Sequence, residues 1–372
     1  MSTTKLWLAG ATLLHMTMSG AESLDVDRRL LSVCIPTHGG RARVLDRALR
    51  SVGHQLTDTL AERVQVVVSD NGSEDETSTV IAEHASRLGG ALVHHRFEDN
   101  GGFTRNLLKV VEMADGEFCW FLGSDDEIEP GGISAVLGIL HSHPEVTGIT
   151  VSRLNVDDST PDNVIADHPS ILPPSGRPAL YVSADTIFAD LGMLQDYMST
   201  QIVSRQGWLD AVAALGAEGV ARGLAFPHLP ILGHMIRQRP IWYWHAQPLI
   251  RHRIGVRAVD VSVGRDLGEY LITVTRQRAS IWSAMFGRRS ALYRTVMRRS
   301  YAVQANPFAL AHCKQQEGQT LTGDVLLLGA LTRYYGFLPE FWLRSFPVLL
   351  LPWFTIPTVS RVSQWLRRQR DT

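Results

Sequence analysis

Residues 121–128 read FLGSDDEI and continue an apolar run, FCWFL, at positions 118–122. The run predicts a buried strand, and two adjacent carboxylates, Asp125 and Asp126, follow directly after its end. In a parallel sheet, the carboxyl ends of the strands form the edge at which ligands bind. Carboxylate oxygens at that edge are suitable ligands for Mg²⁺ or Mn²⁺. The alternative interpretation is an acidic turn that only begins a helix.

Three earlier segments repeat the order of a short apolar strand followed by a helix. The strands are predicted at residues 31–35, 64–68 and 91–95. Strands that alternate with helices at this spacing predict a parallel sheet with right-handed crossovers, as in a nucleotide-binding α/β half. Two of the helices have a clear apolar face, formed by Val44, Leu45, Ala48, Leu49 and Val52 in one and by Leu107, Leu108, Val110, Val111 and Ala114 in the other.

Four short motifs occur in a fixed order along this region. They are SVCIPT at residues 32–37, VVSDNGS at 67–73, NGGFTRN at 100–106 and GSDD at 123–126. With these motifs the chain resembles glycosyltransferase family 2 of the A-type fold, strongly over about residues 30–145 and weakly over about 190–255. The wording CWFLGSDDEIEPGG is most similar to abequosyltransferase-like members, which add a deoxysugar to a bacterial surface polysaccharide.

The resemblance implies a nucleotide-sugar donor and a set of donor-binding residues. Thr37, at the end of the first strand, is expected beside the nucleotide base. Asp70 is expected to hydrogen-bond the base or its ribose, with Asn71 shaping the turn. Arg105 is expected to face the base or the diphosphate, where a guanidinium offsets phosphate charge. The alternatives are an ordinary turn at Asp70 and Asn71 and a surface cation at Arg105.

The resemblance also implies a divalent cation as cofactor, Mg²⁺ or Mn²⁺. Asp125 is expected to bind the metal, and Asp126 to support the metal or the ribose. His252 is a further candidate, because other A-type transferases place a metal-binding histidine in a comparable late segment, although a surface histidine among arginines is the alternative. Many family members have Asp where this chain has Gly123, so the metal is expected to depend on Asp125 with water and phosphate oxygens.

A second departure from the family concerns the catalytic base. Inversion requires a base that takes the proton of the acceptor hydroxyl, and family members usually supply an Asp in a Glu-Asp pair. The corresponding residues here are 223–232, which contain no such pair. Our hypothesis is that His228 takes the place of the base, since imidazole titrates near neutrality. Asp196 is the second candidate, and a purely structural role is the alternative for His228.

Charge is divided unevenly along the 372 residues. Residues 251–372 contain 18 basic and 7 acidic side chains, a net charge of +11, whereas the first 250 residues carry −12. The basic end also contains an apolar, aromatic run at 346–357 that is too short and too rich in proline to span a bilayer. This composition predicts contact with an anionic membrane surface. The alternative is a hydrophobic flap packed on the catalytic region. Nucleic acid is not expected as a partner, because no binding module accompanies the arginines.

The predicted organisation has three parts. Residues 1–29 are a loosely ordered leader, and residues 30–255 form the catalytic domain, with a nucleotide-binding half at 30–145 and an acceptor half at 146–255. Residues 256–372 form a mainly helical, basic region. Within the acceptor half, turn-rich residues 151–190 are expected to be an irregular lid or acceptor loop. Three cysteines give no even disulfide framework.

The predicted fold is therefore α/β, an A-type glycosyltransferase fold with a mostly parallel sheet flanked by helices and a helical C-terminal appendage. The function expected from the resemblance is metal-dependent transfer of a hexosyl or deoxyhexosyl group, with inversion, to a surface polysaccharide of the O-antigen type or a lipid-linked oligosaccharide. Such donors are cytosolic, which places the enzyme at the inner face of the cell membrane. Two alternatives stay open: a nucleotidyltransferase acting on a sugar phosphate, and a non-catalytic subunit that binds sugar nucleotides.

Overall fold

The computed structural model describes residues 29–157, 160–165, 171–223, 225–254, 267–316 and 321–351. Within them, ten strands form one sheet whose main order is β3-β2-β1-β4-β9-β6-β10-β5. The first four strands pair in parallel and confirm the predicted parallel α/β arrangement of this half. Their bounds are β1 (Leu31–Thr37), β2 (Val64–Asp70), β3 (Leu92–Arg96) and β4 (Phe118–Phe121).

Strands β1 and β2 are buried along their whole length, because helices cover both faces of this half of the sheet. Helix α1 buries the five apolar residues predicted for its inner face. Helix α4 buries Leu107, Val110 and Val111 as predicted. The helices of this half are α1 (Ala42–Gly53), α2 (Asp58–Ala61), α3 (Thr77–Leu88), α4 (Phe103–Met113) and α5 (Gly132–Ser142).

The second half of the sheet is mixed. Strand β9 pairs antiparallel with β4 on one side and with β6 on the other, and β6 pairs in parallel with β10. The strands are β5 (Glu127–Ile128), β6 (Gly148–Asp157), β7 (Thr160–Ile165), β8 (Ala179–Tyr181), β9 (Gln201–Ser204) and β10 (Trp242–Ile254). The helices are α6 (Ala184–Gln195), α7 (Arg205–Ala221) and α8 (His228–Gln238).

The expectation of an irregular loop over residues 151–190 is wrong for most of that range. Strand β6 is an interior strand between β9 and β10, and β7 pairs with its end as an antiparallel neighbour. Strand β8 then adds to the outside of β10. The turn-rich stretches that suggested a loop begin at Asp157, the last residue of β6, and at Leu172, beyond β7, and Asn155 within β6 is buried in the sheet. Sheet pairing satisfies the backbone here, so the turn residues mark only the ends of short strands.

The C-terminal region is helical over its described residues, as predicted. Its helices are α9 (Leu267–Phe286), α10 (Ala291–Gln304), α11 (Pro307–Gln316), α12 (Leu321–Tyr335), a π-helical turn (Phe341–Ser345) and α13 (Phe346–Leu350). One hydrophobic cluster joins Phe121 and Trp208 of the sheet half to Trp282, Leu327 and Leu349 of these helices. The C-terminal helices therefore pack against the domain that contains the sheet.

A buried lysine holds the end of this region in place. Lys314 is fully buried, and its Nζ donates to the carbonyl oxygens of Leu349 at 2.9 Å and Leu351 at 2.8 Å. Among the described helices, none has both the length and the apolar character needed to cross a bilayer. The predicted leader, except for Arg29, and the last arginines of the chain lie outside the described residues.

Candidate functional site

Two buried polar atoms without a hydrogen bond lie at the carboxyl ends of β1 and β2. Thr37 and Asp70 are the last residues of these strands, are opposite each other in the parallel register and are fully buried. The Oγ1 of Thr37 and the Oδ2 of Asp70 have no hydrogen-bond partner among the described residues. Arg96 lies nearby, with its Nε 3.7 Å from the Oδ2 of Asp70. Because unpaired buried polar atoms are costly, this pair marks a place where a ligand can supply the missing hydrogen bonds.

The other oxygen of Asp70 organises the turn that follows β2. Its Oδ1 accepts from the backbone N–H of Ser73 at 3.1 Å and from the hydroxyl of the same residue. Gly72, between them, has φ +73°, and a Cβ there would lie 2.7 Å from the carbonyl carbon of Asp99. Only glycine fits this close approach in the left-handed region. The turn is thus held against the loop that precedes α4.

Asn71 joins the same two loops through its side chain. Its Nδ2 donates to the Oδ1 of Asn100 at 2.6 Å, and its Oδ1 accepts from the N–H of Gly101 at 3.1 Å. Its own N–H donates to the carbonyl of Thr37 at 3.0 Å. That carbonyl also accepts from the Nδ2 of Asn106, a buried residue of α4, at 2.8 Å. Asn71 therefore connects the ends of β1 and β2 to the start of α4.

Arg105 lies at the edge of this arrangement. Its guanidinium stacks 3.8 Å from the ring centroid of Phe97, and its Nη1 is 2.9 Å from the Oδ1 of Asp99. The side chain is 43% exposed. Its expected contact with a base or diphosphate stays a prediction, since its cation already has a carboxylate partner at the surface.

Asp125 lies in the turn after β4 and forms an ion pair that the sequence did not predict. Its Oδ2 lies 2.8 Å from the Nη1 of Arg41, which directly precedes α1, and the two side chains are 21% and 13% exposed. Burial, followed by the negative charge of Asp126, raises the pKa of Asp125, whereas the Arg41 guanidinium opposes this shift. Asp125 is thus a partly accessible carboxylate that already has one cation beside it.

Gly123 has a steric explanation. A Cβ at this position would lie 2.9 Å from the Oδ2 of Asp126, 3.1 Å from the Oδ1 of Asp125 and 3.3 Å from the Oγ of Ser199. The oxygens of these three side chains therefore converge on the space that a carboxylate at position 123 would need. We call residues 123–126 the carboxylate turn. The space that the Asp of other family members would need is taken by oxygen atoms of Asp125, Asp126 and Ser199.

Asp126 is an anchoring carboxylate. Its side chain is 4% exposed. Its Oδ2 accepts from the hydroxyl of Tyr197 and, at 2.5 Å, from the Oγ of Ser199. Ser199 also accepts from the N–H of Gly123 at 2.9 Å. Burial, and then the charge of Asp126, raise the pKa of Tyr197 well above its ordinary value, so the phenol stays a donor.

The structure brings His252 to the same carboxylate. His252 lies in β10, is 27% exposed, and has its Nδ1 3.1 Å from the Oδ1 of Asp126 and close to the hydroxyl of Tyr197. Because the Tyr197 hydroxyl donates to Asp126, the Nδ1 of His252 must carry its proton and donate in turn. The Nε2 then holds the lone pair. A histidine oriented by a carboxylate in this way is the usual form of a metal-ligating imidazole.

The donor atoms fit a hard divalent cation only in part. No group of three or more His, Cys, Asp or Glu side chains within the described residues is arranged to hold a metal ion. Asp125 and the Nε2 of His252 offer one oxygen and one nitrogen donor, while Asp126 is occupied by its hydrogen bonds. Mg²⁺ commonly binds with one or two protein carboxylates and completes its shell with water and phosphate oxygens. Asp125 and His252 are therefore suited to a cation that binds together with a diphosphate.

The two candidate bases lie together but away from solvent. His228 begins α8, is 3% exposed, and has its Nε2 3.1 Å from the carbonyl oxygens of both Gln195 and Asp196. Its Nε2 must donate, so Nδ1 is the basic nitrogen, and no described residue hydrogen-bonds to it. Burial lowers the pKa of His228 to about 4, so the expectation that this imidazole titrates near neutrality is wrong, because the charged form is excluded from a buried site. The carboxylate of Asp196 forms an ion pair with Arg278 of α9.

Sequence reasoning missed three residues of this site. Arg41 lies just after β1 and belongs to none of the four motifs. Tyr197 and Ser199 lie ahead of β9 and are also outside the four motifs. A phenol and a hydroxyl at these positions give no signal of their own, because only the pairing of β9 with β4 brings them to the carboxylate turn.

The sequence of this chain is similar to those of known glycosyltransferases. The family model described as "Glycosyl transferase family 2" matches residues 32–189. The abequosyltransferase RfbV of Salmonella typhimurium is 26% identical over 211 residues, which are 55% of this chain and 60% of that protein. A PGL/p-HBAD biosynthesis glycosyltransferase of Mycobacterium bovis is 31% identical over 115 residues, which are 31% of this chain and 43% of that protein. The chain thus spans about 60% or less of the length of these relatives.

Solved structures show the fold. The structure of Staphylococcus aureus TarS residues 1–349 with UDP-GlcNAc covers 84% of this chain and 82% of its own, with a TM-score of 0.57 and 16% identity. The mannosyltransferase PcManGT of Pyrobaculum calidifontis, solved with GDP-Man and Mn²⁺, covers 90% of this chain and 87% of its own, with a TM-score of 0.50 and 15% identity. The similarity confirms the A-type fold expected from the sequence.

Proposed function

Because this chain belongs to glycosyl transferase family 2 through residues 32–189, we propose that it transfers one sugar from a nucleotide diphosphate donor to a saccharide acceptor. The observation that carries the proposal is the pair of buried oxygen atoms on Thr37 and Asp70, at the carboxyl ends of β1 and β2, that lack a hydrogen bond from the described residues. A base edge or ribose hydroxyl is a ligand of the right chemistry for a hydroxyl and a carboxylate oxygen. Nucleotide sugars are also bound in the two solved neighbours.

We further propose that the reaction depends on Mg²⁺ or Mn²⁺. Asp125 and the Nε2 of His252 would hold the cation, and Asp126 would orient His252. A bound cation would neutralise charge that develops on the departing diphosphate. The accessible carboxylate of Asp125 and the tautomer of His252 support this assignment. Arg105 would contribute a second positive charge at the mouth of the donor site.

For the transfer step we propose inversion, with the acceptor hydroxyl losing its proton to a base of this chain. His228 is the first candidate through its Nδ1, and Asp196 is the second. The likeness to an abequosyltransferase supports an acceptor that is a surface-polysaccharide precursor. A lipid-linked form of that acceptor would bring the enzyme to a membrane surface.

The donor site can be tested by nucleotide binding. The Asp70→Asn variant keeps the shape of the side chain but removes its charge, and we expect it to weaken binding of a nucleoside diphosphate roughly tenfold or more, as for a lost hydrogen bond to a charged group. Isothermal titration with UDP, GDP and CDP in the presence of Mn²⁺ measures this effect. Asp115→Asn is the control, because Asp115 is 51% exposed and paired with Arg29.

Unchanged nucleotide affinity in Asp70→Asn would contradict the donor assignment.

Analysis of the reaction products distinguishes the two enzyme classes. A sugar transferase releases a nucleoside diphosphate from a nucleotide sugar, whereas a nucleotidyltransferase releases pyrophosphate from a nucleoside triphosphate and a sugar phosphate.

The C-terminal region gives grounds for proposing membrane contact. Residues 337–350 contain four large apolar side chains with 41% to 79% of their surface exposed, Phe337, Trp342, Leu343 and Leu350. Arg344 lies in the same segment. Other residues of the segment, Phe341 and Leu349, are buried in the core. The segment therefore packs on the protein with one side and exposes apolar groups beside a cation with the other, which suits the surface of an anionic bilayer.

A double variant tests this proposal in the full chain. Leu343→Glu with Leu350→Glu places two negative charges on the exposed side, and we expect recovery with phosphatidylglycerol vesicles in a flotation assay to fall roughly tenfold. Val182→Glu is the matched control, since Val182 is 70% exposed and lies after β8. Equal flotation of the double variant and the control would refute membrane contact through this segment.

A further inference from the structure

The ion pair between Arg41 and Asp125 places a cation where the proposed metal would bind. The Nη1 of Arg41 lies 2.8 Å from the Oδ2 of Asp125, and both side chains are largely buried. Arg41 follows Gly39 and Gly40 in the loop between β1 and α1. The N–H of Gly40 donates to the Oδ2 of Asp75 at 2.6 Å, which fixes the backbone of this loop. The backbone is anchored, whereas the guanidinium is carried on a long side chain.

Neighbouring carboxylates show why this pair differs from a structural one. Asp125, Glu127 and Glu129 alternate along the segment that leads into and follows β5, and each contacts an arginine. Glu127 is bonded by Arg253 of β10 and also lies 3.8 Å from the Nε of Arg47 of α1, and Glu129 is bonded by Arg251 of β10 at 2.7 Å. The pairs with Arg253 and Arg251 join β10 to the segment around β5. Asp125 instead lies in the carboxylate turn beside Asp126, and its arginine comes from the first loop of the nucleotide-binding half.

The positive charge of Arg41 limits which other cations can bind to the Asp125 carboxylate. A dication bound to this group would lie within a few ångströms of the guanidinium, and like charges at such a distance in a partly buried site repel strongly. Either the cation is kept out or the guanidinium moves. If the guanidinium moves, a bound diphosphate is a suitable new partner for it, because arginine binds phosphate oxygens with two or more N–H groups.

We propose that Arg41 is a resident counter-ion of Asp125 that is exchanged for the metal when the donor binds. In the free protein it competes with the divalent cation for the carboxylate. In the donor complex it transfers to the diphosphate and becomes a donor-binding residue. Metal and nucleotide therefore bind cooperatively, and the free cation alone binds weakly. This inference rests on the proposed metal and donor site and adds a residue that the family motifs did not mark.

The Arg41→Gln variant separates the two roles of Arg41. Without nucleotide, we expect it to bind Mn²⁺ roughly tenfold more tightly than the unmodified chain, because the competing charge is gone. With Mn²⁺ present, we expect it to bind the nucleoside diphosphate roughly tenfold more weakly. Electron paramagnetic resonance of free Mn²⁺ measures the first quantity, and isothermal titration with UDP, GDP or CDP measures the second. Neither readout requires sugar transfer.

Two further variants complete the experiment. Arg50→Gln, on the helix that follows Arg41, removes a guanidinium that is 56% exposed and paired with Asp46, and should leave both affinities unchanged. Arg41→Lys keeps the charge and should stay close to the unmodified chain in Mn²⁺ affinity. Thermal unfolding of each variant checks the fold, and Arg41→Lys provides the comparison if Arg41→Gln is unstable, because a tighter Mn²⁺ site in the lysine variant would contradict competition by charge.

Unchanged or weaker Mn²⁺ binding by Arg41→Gln would overturn the exchange while leaving the donor site intact, provided that nucleotide still binds with the metal. Absence of Mn²⁺ binding in every variant, with and without nucleotide, would overturn the exchange and also the proposed metal dependence. Tighter Mn²⁺ binding together with weaker nucleotide binding is the result that supports it.

Discussion

The Asp125→Asn variant is expected to lose sugar transfer by a factor of roughly 10² to 10³ while remaining folded. Asn keeps the size of the side chain but removes the charge that would hold the cation, and stabilisation of a developing anion commonly contributes this much to rate. The fold should survive because burial, and then the repulsion from Asp126, disfavour the charged form of Asp125 and raise its pKa, and an uncharged side chain avoids both effects. Release of nucleoside diphosphate from a nucleotide sugar, measured over a range of Mn²⁺ concentrations, gives the rate.

Glu129→Gln is the matched control for this variant. Glu129 is also an acidic residue paired with an arginine, Arg251, but it lies beyond the carboxylate turn. Its replacement should change the rate by less than about threefold, in line with the small worth of partly exposed ion pairs. A rate for Asp125→Asn within threefold of the unmodified chain would remove Asp125 from the reaction.

The second large effect is expected from His228→Gln, which should reduce transfer roughly 10²-fold or more with little change in nucleotide affinity. General-base catalysis contributes about this factor. Gln can still donate to the carbonyl oxygens of Gln195 and Asp196 but offers no basic nitrogen. Because burial lowers the pKa of His228 to about 4, the imidazole stays unprotonated well below neutrality. The rate should therefore fall near pH 4 to 5 and not near the ordinary histidine value of about 6.5.

The same pKa predicts how stability depends on pH. Between pH 6.5 and about 4, the unfolded chain binds a proton at His228 that the folded chain does not. The free energy of unfolding should therefore fall as the pH is lowered through this range, by about 3 kcal/mol in total for a shift of this size. Urea unfolding at a series of pH values should show this dependence in the unmodified chain and a flatter one in His228→Gln.

His234→Gln is the control, since His234 lies on the same helix and the proposed chemistry gives it no role. It should keep both the rate and the pH dependence of stability. Full transfer activity in His228→Gln with a flattened stability curve would show that His228 is structural, and Asp196 would then become the first candidate for the base.

Much of the nucleotide-binding half could be predicted because its signals are local. Strands β1 and β2 are buried on both faces, so their sequences are continuous apolar runs, and α1 has its apolar residues at helical spacing. The carboxyl ends of parallel strands meet at one edge, so Thr37, Asp70 and Asp125 could be assigned to one region. The same reasoning failed over residues 151–190, because the burial of Asn155 depends on strands that are distant in the sequence.

The sequence by itself determined the order of strands and helices in the nucleotide-binding half, the positions of its strand ends and the presence of two carboxylates after β4. Periodicity and turn chemistry act over a few residues and can be read along the chain. Only the tertiary structure decided which cation faces Asp125, why position 123 is glycine, and that Tyr197 and His252 share the carboxylate of Asp126. These contacts join residues separated by 55 to 126 positions. They form only because the pairing of β9 with β4, and of β10 with β5 and β6, closes long loops around the carboxylate turn.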